Sequence, residues 1–211
     1  GLGDVYKRQI LNSPRRLGST QTKLGDIGYT DVNGDGKIDG EDQVRIGKPT
    51  MPHFTYAFDF SLGYEGFTLS GLLYGTGERY MTFGNRYQSG EGKYLYYENQ
   101  LNYWRPDNTG ADFPRISISS GVNGNNNKAG STFWMRNASY LRLKDLQLSY
   151  DFKYKYLKKC DWLQTCRVNL SGSNLFTISG VSKFFDPETS STSGDGYPVQ
   201  RVYSIGVTIG F

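Results

Sequence analysis

From Phe54 to Leu62 every second residue is large and apolar: Phe54, Tyr56, Phe58, Phe60 and Leu62. The residues between them, Thr55, Ala57, Asp59 and Ser61, are small or polar. A period of two places successive side chains on opposite faces of a β-strand, so this segment predicts a strand with one apolar face. Gly63 to Gly66 reads as a tight turn, and Phe67, Leu69, Gly71 and Leu73 resume the alternation as the second arm of a hairpin. Tyr140 to Phe152 alternates again with a change of phase. Leu141 and Leu143 share one parity, while Leu146, Leu148 and Tyr150 share the other, so a β-bulge is expected at Lys144-Asp145. Cys166 to Phe176 is a fourth strand. Arg201 to Phe211 is a fifth, with Tyr203, Ile205, Val207, Ile209 and Phe211 on one face and Ser204, Gly206, Thr208 and Gly210 on the other.

The connections between these strands alternate in length: short after Leu62, long after Leu73, short after Phe152 and long again from Thr177 to Gln200. Short turns at one end and long loops at the other are the habit of transmembrane β-barrels. Gly75 to Asn137 shows no clear period and is longer than an ordinary connection, which points to a functional loop. Composition agrees with alternating strands. Aromatic residues make up 15% of the 211 residues, yet mean hydropathy is −0.58. No stretch approaches the ~18 apolar residues of a membrane-spanning helix, which excludes a helical membrane protein and leaves a barrel open. Net charge is +4 with the basic residues scattered, so nucleic-acid binding is not expected.

Asp31 to Asp42 carries oxygen-bearing side chains at the spacing of a twelve-residue EF-hand-type loop: Asp31, Asn33, Asp35, Asp39 and Asp42, with Gly36 at the sharp turn. Lys37 would add its backbone carbonyl and Ile38 an apolar anchor. A hard cation collects six to eight oxygens, so structural Ca²⁺ is the expected cofactor. Asp42 departs from the usual Glu at the twelfth position, and no amphipathic helix flanks the loop, which argues against a sensor. Elsewhere the chemistry is sparse. His53 is the sole histidine and is read as an ordinary strand-edge residue. Cys160 and Cys166 leave both a disulfide and two unpaired thiols open. Tyr94, Tyr96, Tyr97, Tyr103 and Trp104 cluster in the long loop, where they could contact a cargo or pack the loop against itself. No catalytic set emerges, and an enzyme is not expected.

The segments Gly25–Asp39, Ile46-Gly-Lys-Pro, Phe54-Thr-Tyr-Ala-Phe, Tyr103-Trp-Arg-Pro-Asp107, Phe113-Pro-Arg115, Ser131–Lys144, Ser171–Phe176 and Tyr203–Phe211 together resemble the C-terminal region of SusC/RagA-type TonB-dependent outer-membrane transporters. The resemblance runs in order along nearly all of the chain. It implies the last antiparallel strands, about five, of a large plugged barrel, here an open curved sheet. It also implies active import of an oligosaccharide or peptide, with a SusD-like lipoprotein as partner and TonB engaged through an N-terminal part outside this sequence. The face Tyr203, Ile205, Val207, Ile209 and Phe211 would be the closing signal read by the barrel-assembly machinery, and outer-membrane lipid would bathe it.

The expected organisation is a prefix at 1–9 resembling read-through sequence rather than protein, an extracellular loop at 10–52 that includes the calcium-type loop, and barrel strands over 53–211. The N-terminus shows no signal peptide, which is expected if the natural N-terminal part is missing. The competing reading is a secreted, calcium-stabilised β-sandwich binding module, whose apolar faces would cover each other rather than stay exposed.

Overall fold

The structure, a computed structural model, describes residues 14, 23–84, 87–88, 97–116, 126–189, 192–193, 196–197 and 199–211. The prefix expected at 1–9 and the aromatic positions Tyr94 and Tyr96 lie outside them. The chain forms two compact units: one from residues 1–48, 82–136 and 190–196, the other from 49–81, 137–189 and 197–211.

The second unit holds the strands. Strands β1 (Thr55–Tyr64), β2 (Phe67–Thr76), β5 (Tyr140–Asp151), β6 (Thr165–Ser179) and β7 (Val202–Gly210) make one five-stranded antiparallel sheet in the order β1-β2-β5-β6-β7. Two short strands, β3 (Tyr80–Thr82) and β4 (Met135–Asn137), lie where the chain passes between the units. β6 runs three residues further than the alternation suggested, to Ser179, because Thr177 and Ser179 keep the inward parity while Ile178 stays on the apolar face. Consequently the second long loop begins after Ser179 rather than at Thr177.

Register explains the sheet. Tyr64 pairs with Phe67 across a two-residue turn in which Glu65 and Gly66 have φ of 45° and 85°. Both signs are those of the hairpin turn whose twist matches the strands, and glycine makes the second position cheap. The apolar residues then align row by row: Phe67 with Tyr150, Leu69 with Leu148, Leu148 with Leu170 and Leu170 with Ile205. At Lys144 the register shifts on both sides of β5, since Leu143 faces Leu73 and Phe176 while Asp145 faces Leu72 and Ser173. The bulge therefore sits where the phase change placed it. Without it, Leu146, Leu148 and Tyr150 would turn to the polar face.

The aromatic side chains of the hairpin lie over glycines. A Cβ on Gly71 would meet the Phe60 ring at 2.7 Å, and one on Gly75 would meet Tyr56 at 2.5 Å and the Tyr140 carbonyl at 2.4 Å. Each ring covers backbone that its partner strand leaves bare, a known way to secure strand glycines.

The first unit is built differently. Phe83, Tyr87, Phe113 and Trp134 are buried and pack ring against ring, with Phe83 5.9 Å from Phe113 and 6.1 Å from Trp134. Polar bonds tie distant segments to this cluster. Arg115 grips Asp26 with two bonds of 2.7 and 3.1 Å, and Asn127 accepts from the amide of Ile27 at 2.9 Å. Trp134 donates to the Asn127 carbonyl at 2.9 Å. This folded region occupies much of the segment from Gly75 to Asn137 that lacks periodicity.

Candidate functional site

The two faces of the sheet differ in kind. On one face Phe58, Leu62, Tyr64, Phe67, Leu148, Leu170, Ile178, Tyr203, Ile205, Val207, Ile209 and Phe211 are all exposed, with Ile205 and Phe211 each at 74%. Such a continuous apolar surface is far larger than the patches that aqueous proteins leave open. Tyr203, Ile205, Val207 and Ile209 of β7 and the following Phe211 all belong to this exposed set. The sandwich reading needs that face covered, and it is bare.

The opposite face carries polar residues and, near the bulge, a charged cluster that periodicity did not reveal. The extra residue at the bulge lets Arg142, Lys144 and Asp145 all point to the polar side. Arg142 is 2% exposed. Its guanidinium donates to Asp186 at 2.6 Å, to Glu188 at 2.9 Å and to the Thr177 hydroxyl at 2.8 Å. Lys144 and the Tyr140 hydroxyl each reach Glu188 at 2.7 Å, and Arg79 donates to the Pro187 carbonyl at 3.1 Å. Burial pushes the Glu188 carboxyl up. Hydrogen bonds from Lys144 and Tyr140 and the positive charge of Arg142 outweigh it, so the group ends below its ordinary value. The cluster thereby fastens the connection after β6 to β5. A strand-period pattern cannot show this, because Asp186 and Glu188 lie outside any strand; the signal that could have found it is the pair of cations on the polar face at a bulge.

The Asp31–Asp42 loop is closed on itself. Asp31 accepts from the amides of Gly34 at 2.7 Å and Gly36 at 2.8 Å, Asn33 from Asp35 at 3.1 Å, and Asp35 from Lys37 at 2.8 Å. Asp39 accepts from the amide of Glu41 at 2.9 Å. Asp42 accepts from the amides of Asp39 and Val32 at 2.8 and 2.7 Å, and those bonds hold its carboxyl below the usual range. Gly34 and Gly36 take the positive φ that the sharp turn needs, and Ile38 is buried as its apolar anchor. Donor types, spacing and backbone shape fit a hard cation. Among the described residues, however, no three acidic, histidine or cysteine side chains converge at metal-binding separations.

The described members of the loop aromatic set make contacts within the loop unit. The Tyr97 ring lies tilted against Tyr87 with centroids 5.0 Å apart, and its hydroxyl donates to the Ser193 carbonyl at 3.1 Å. Trp104 packs against Gly25, where a Cβ would fall 2.3 Å from the ring. Tyr103 is half-buried, with Arg105 5.1 Å above its ring. His53 is exposed, and Cys160 and Cys166 are both free thiols.

No family model matches this sequence. Curated relatives do. TonB-dependent receptor P3 of Formosa agariphila is 27% identical over 196 residues, covering 87% of this chain and 19% of the relative. Receptor P26 of the same organism is 27% identical over 202 residues, covering 89% and 20%. Among solved structures, the RagAB peptide importer in its open-open state superposes with a TM-score of 0.64 at 26% identity, covering 88% of this chain and 20% of that one. Its closed-closed state gives 0.64 at 27% identity. This chain spans about a fifth of the length of the relatives it matches. An all-β antiparallel sheet that stays open, with one bare apolar face and one polar face, agrees in sequence and in fold with those proteins: the chain is similar to a fragment of a SusC/RagA-like TonB-dependent receptor.

Proposed function

We propose that the protein to which this chain belongs imports a bulky nutrient, an oligosaccharide or a peptide, across the outer membrane by a TonB-dependent mechanism. The bare apolar face opposite a polar one carries the reading. Strands of nine and ten residues at ~3.3 Å per residue, tilted by about 40°, reach roughly 25 Å, the height of a barrel's apolar band. In that setting the apolar face meets lipid, the polar face meets the lumen, and the chain resides in the outer membrane. The relatives are receptors and importers rather than enzymes. A peptide is the cargo named for the structural neighbours, and a SusD-like lipoprotein is the partner this reading assigns. TonB and the barrel-assembly machinery complete the set, the latter reading the strand that ends at Phe211. Contact with cargo is proposed for the loop rings Tyr94, Tyr96, Tyr97, Tyr103 and Trp104.

Calcium is proposed as a structural ion in the Asp31–Asp42 loop, where its binding would draw the carboxylates of Asp31, Asp35, Asp39 and Asp42, the side-chain oxygen of Asn33 and the Lys37 carbonyl off the loop's amides. The test of the whole reading is uptake. Cells carrying the full-length gene should accumulate labelled peptide or oligosaccharide, and lose that uptake when the TonB energy supply is removed. Recovery of the full-length protein as a soluble monomer, with no dependence on detergent, would overturn it.

A further inference from the structure

The short-turn end of the sheet gathers aromatic rings and cations that the transport reading does not use. Beyond β5 the chain makes a single 3-10 turn at Phe152–Tyr154, and Lys153 holds the connection by donating to the carbonyls of Cys160 (3.2 Å) and Leu163. Tyr150, on the apolar face, contacts Phe67 at 4.4 Å, Phe152 at 5.0 Å and Tyr156 at 6.2 Å. Trp162 stacks flat on Phe211, with centroids 5.7 Å apart and planes 12° apart. Tyr154, Tyr156 and Trp162 are all exposed, Tyr156 at 69% and Trp162 at 67%. These rings continue the apolar face beyond the last paired residues, at the level where amphipathic aromatics settle between lipid tails and water.

Three cations belong to the same connection. Lys155, Lys158 and Lys159 are exposed, and among the described residues no ion pair engages them. Lys155 lies 6.0 Å from the Tyr156 ring centre. A cleft of 1010 Å³ opens at the same rim, lined by Lys153, Lys155, Lys158, Arg167, Tyr64 and Tyr154. Its acidic members are Glu65 and Asp151, and Asp151 is taken up by Arg167 at 3.6 Å. Asp161 is the remaining acid of the turn and is exposed. The rim is left with positive charge beside amphipathic rings, which is complementary to a lipid phosphate whose tails lie along the apolar face.

We infer that this rim is a binding site for the anionic headgroup of a phospholipid, seated by Lys155, Lys158 and Lys159 and flanked by Tyr154, Tyr156 and Trp162. The inference rests on the membrane reading above. Since short turns face the periplasm, the lipid comes from the inner leaflet of the outer membrane.

The experiment is lipid titration of the detergent-purified full-length receptor, read by native mass spectrometry, with phosphatidylglycerol, phosphatidylcholine and lipid A as separate probes. Phosphatidylglycerol should bind tightest. K155Q/K158Q/K159Q should weaken it by on the order of a hundredfold, roughly fivefold per lysine, while K155R/K158R/K159R retains it. Equal affinity of the wild-type protein and the Gln variant, equal affinity for phosphatidylglycerol and phosphatidylcholine, or a preference for lipid A would each overturn the site. Those outcomes leave the membrane reading standing. A receptor that never enters detergent or lipid particles would instead overturn that reading, and the site with it.

Discussion

The two units of this chain are held by different means. In the sheet unit one strand face stays open: Phe58, Leu62, Ile178, Ile205 and Ile209 are exposed, while apolar side chains such as Leu143, Val181 and Phe185 are buried, and order comes also from register, turns and a charged cluster on the polar face. In the loop unit an aromatic cluster lies inside. Phe83, Tyr87, Phe113 and Trp134 form a conventional core, and across long separations Asp26 bonds the Arg115 side chain and Asn127 the Ile27 amide. Under the membrane reading proposed above, the same chain uses burial where water is the solvent and exposure where lipid is. The lesson is that exposed apolar area signals instability only once the solvent is known.

This contrast can be broken at its most polar point first. Arg142→Ala should cost the full-length receptor about 3–5 kcal/mol, because it strips a buried cation from Asp186 and Glu188. Thermal unfolding in detergent measures it, and a change below about 1 kcal/mol would show that the cluster does not hold the sheet unit. Phe83→Ala should cost a similar 3–5 kcal/mol by leaving a cavity. Its effect should be confined to faster amide exchange in residues 82–136, with the strand amides unmoved.

A smaller effect is expected at Gly75. A Val there drives its Cβ into the Tyr140 carbonyl and the Tyr56 ring, which should cost about 1–3 kcal/mol and retard folding into lipid vesicles. Normal insertion and melting of Gly75→Val would mean that the rings do not need the bare backbone beneath them. In the calcium-type loop, Asp31→Asn should weaken binding of Tb³⁺, a luminescent calcium substitute, about tenfold. No luminescence from the wild-type receptor would remove calcium from the account.

The smallest effect is one of pH. Glu188 is held below its ordinary value in the folded state, so its contribution is complete above the unfolded carboxyl value and lost as pH falls through the folded one. Glu188→Gln should flatten the acid limb of the stability curve. An unchanged limb would assign acid sensitivity elsewhere.

Much of the sheet was legible because the period-two pattern is long and unambiguous in each strand, and even the bulge followed from the parity of Leu143 against Leu146. The loop unit was not legible. Its contacts join Asp26 and Ile27 to Arg115, Asn126 and Asn127, and no local pattern links residues so far apart. The charged cluster was missed for the same reason: Arg142 and Lys144 were visible on the strand, but Asp186 and Glu188 sit in a Ser- and Gly-rich connection with no period. The open edges of β1 and β7 were expected from the count of strands. They also mean that this sheet expressed by itself should aggregate without detergent.

Lys144 can be seen as a frame correction written into a strand. Deleting it alone would leave Leu143 followed directly by Asp145 and Leu146, a sequence whose alternation needs no bulge at all. Deleting Asp145 instead would restore the same alternation, whereas deleting a residue elsewhere well inside β5 would invert one half of the strand. The Lys144-Asp145 pair is therefore where this strand can lose a residue in evolution or engineering and keep its two faces, with the Glu188 tether forgone when that residue is Lys144.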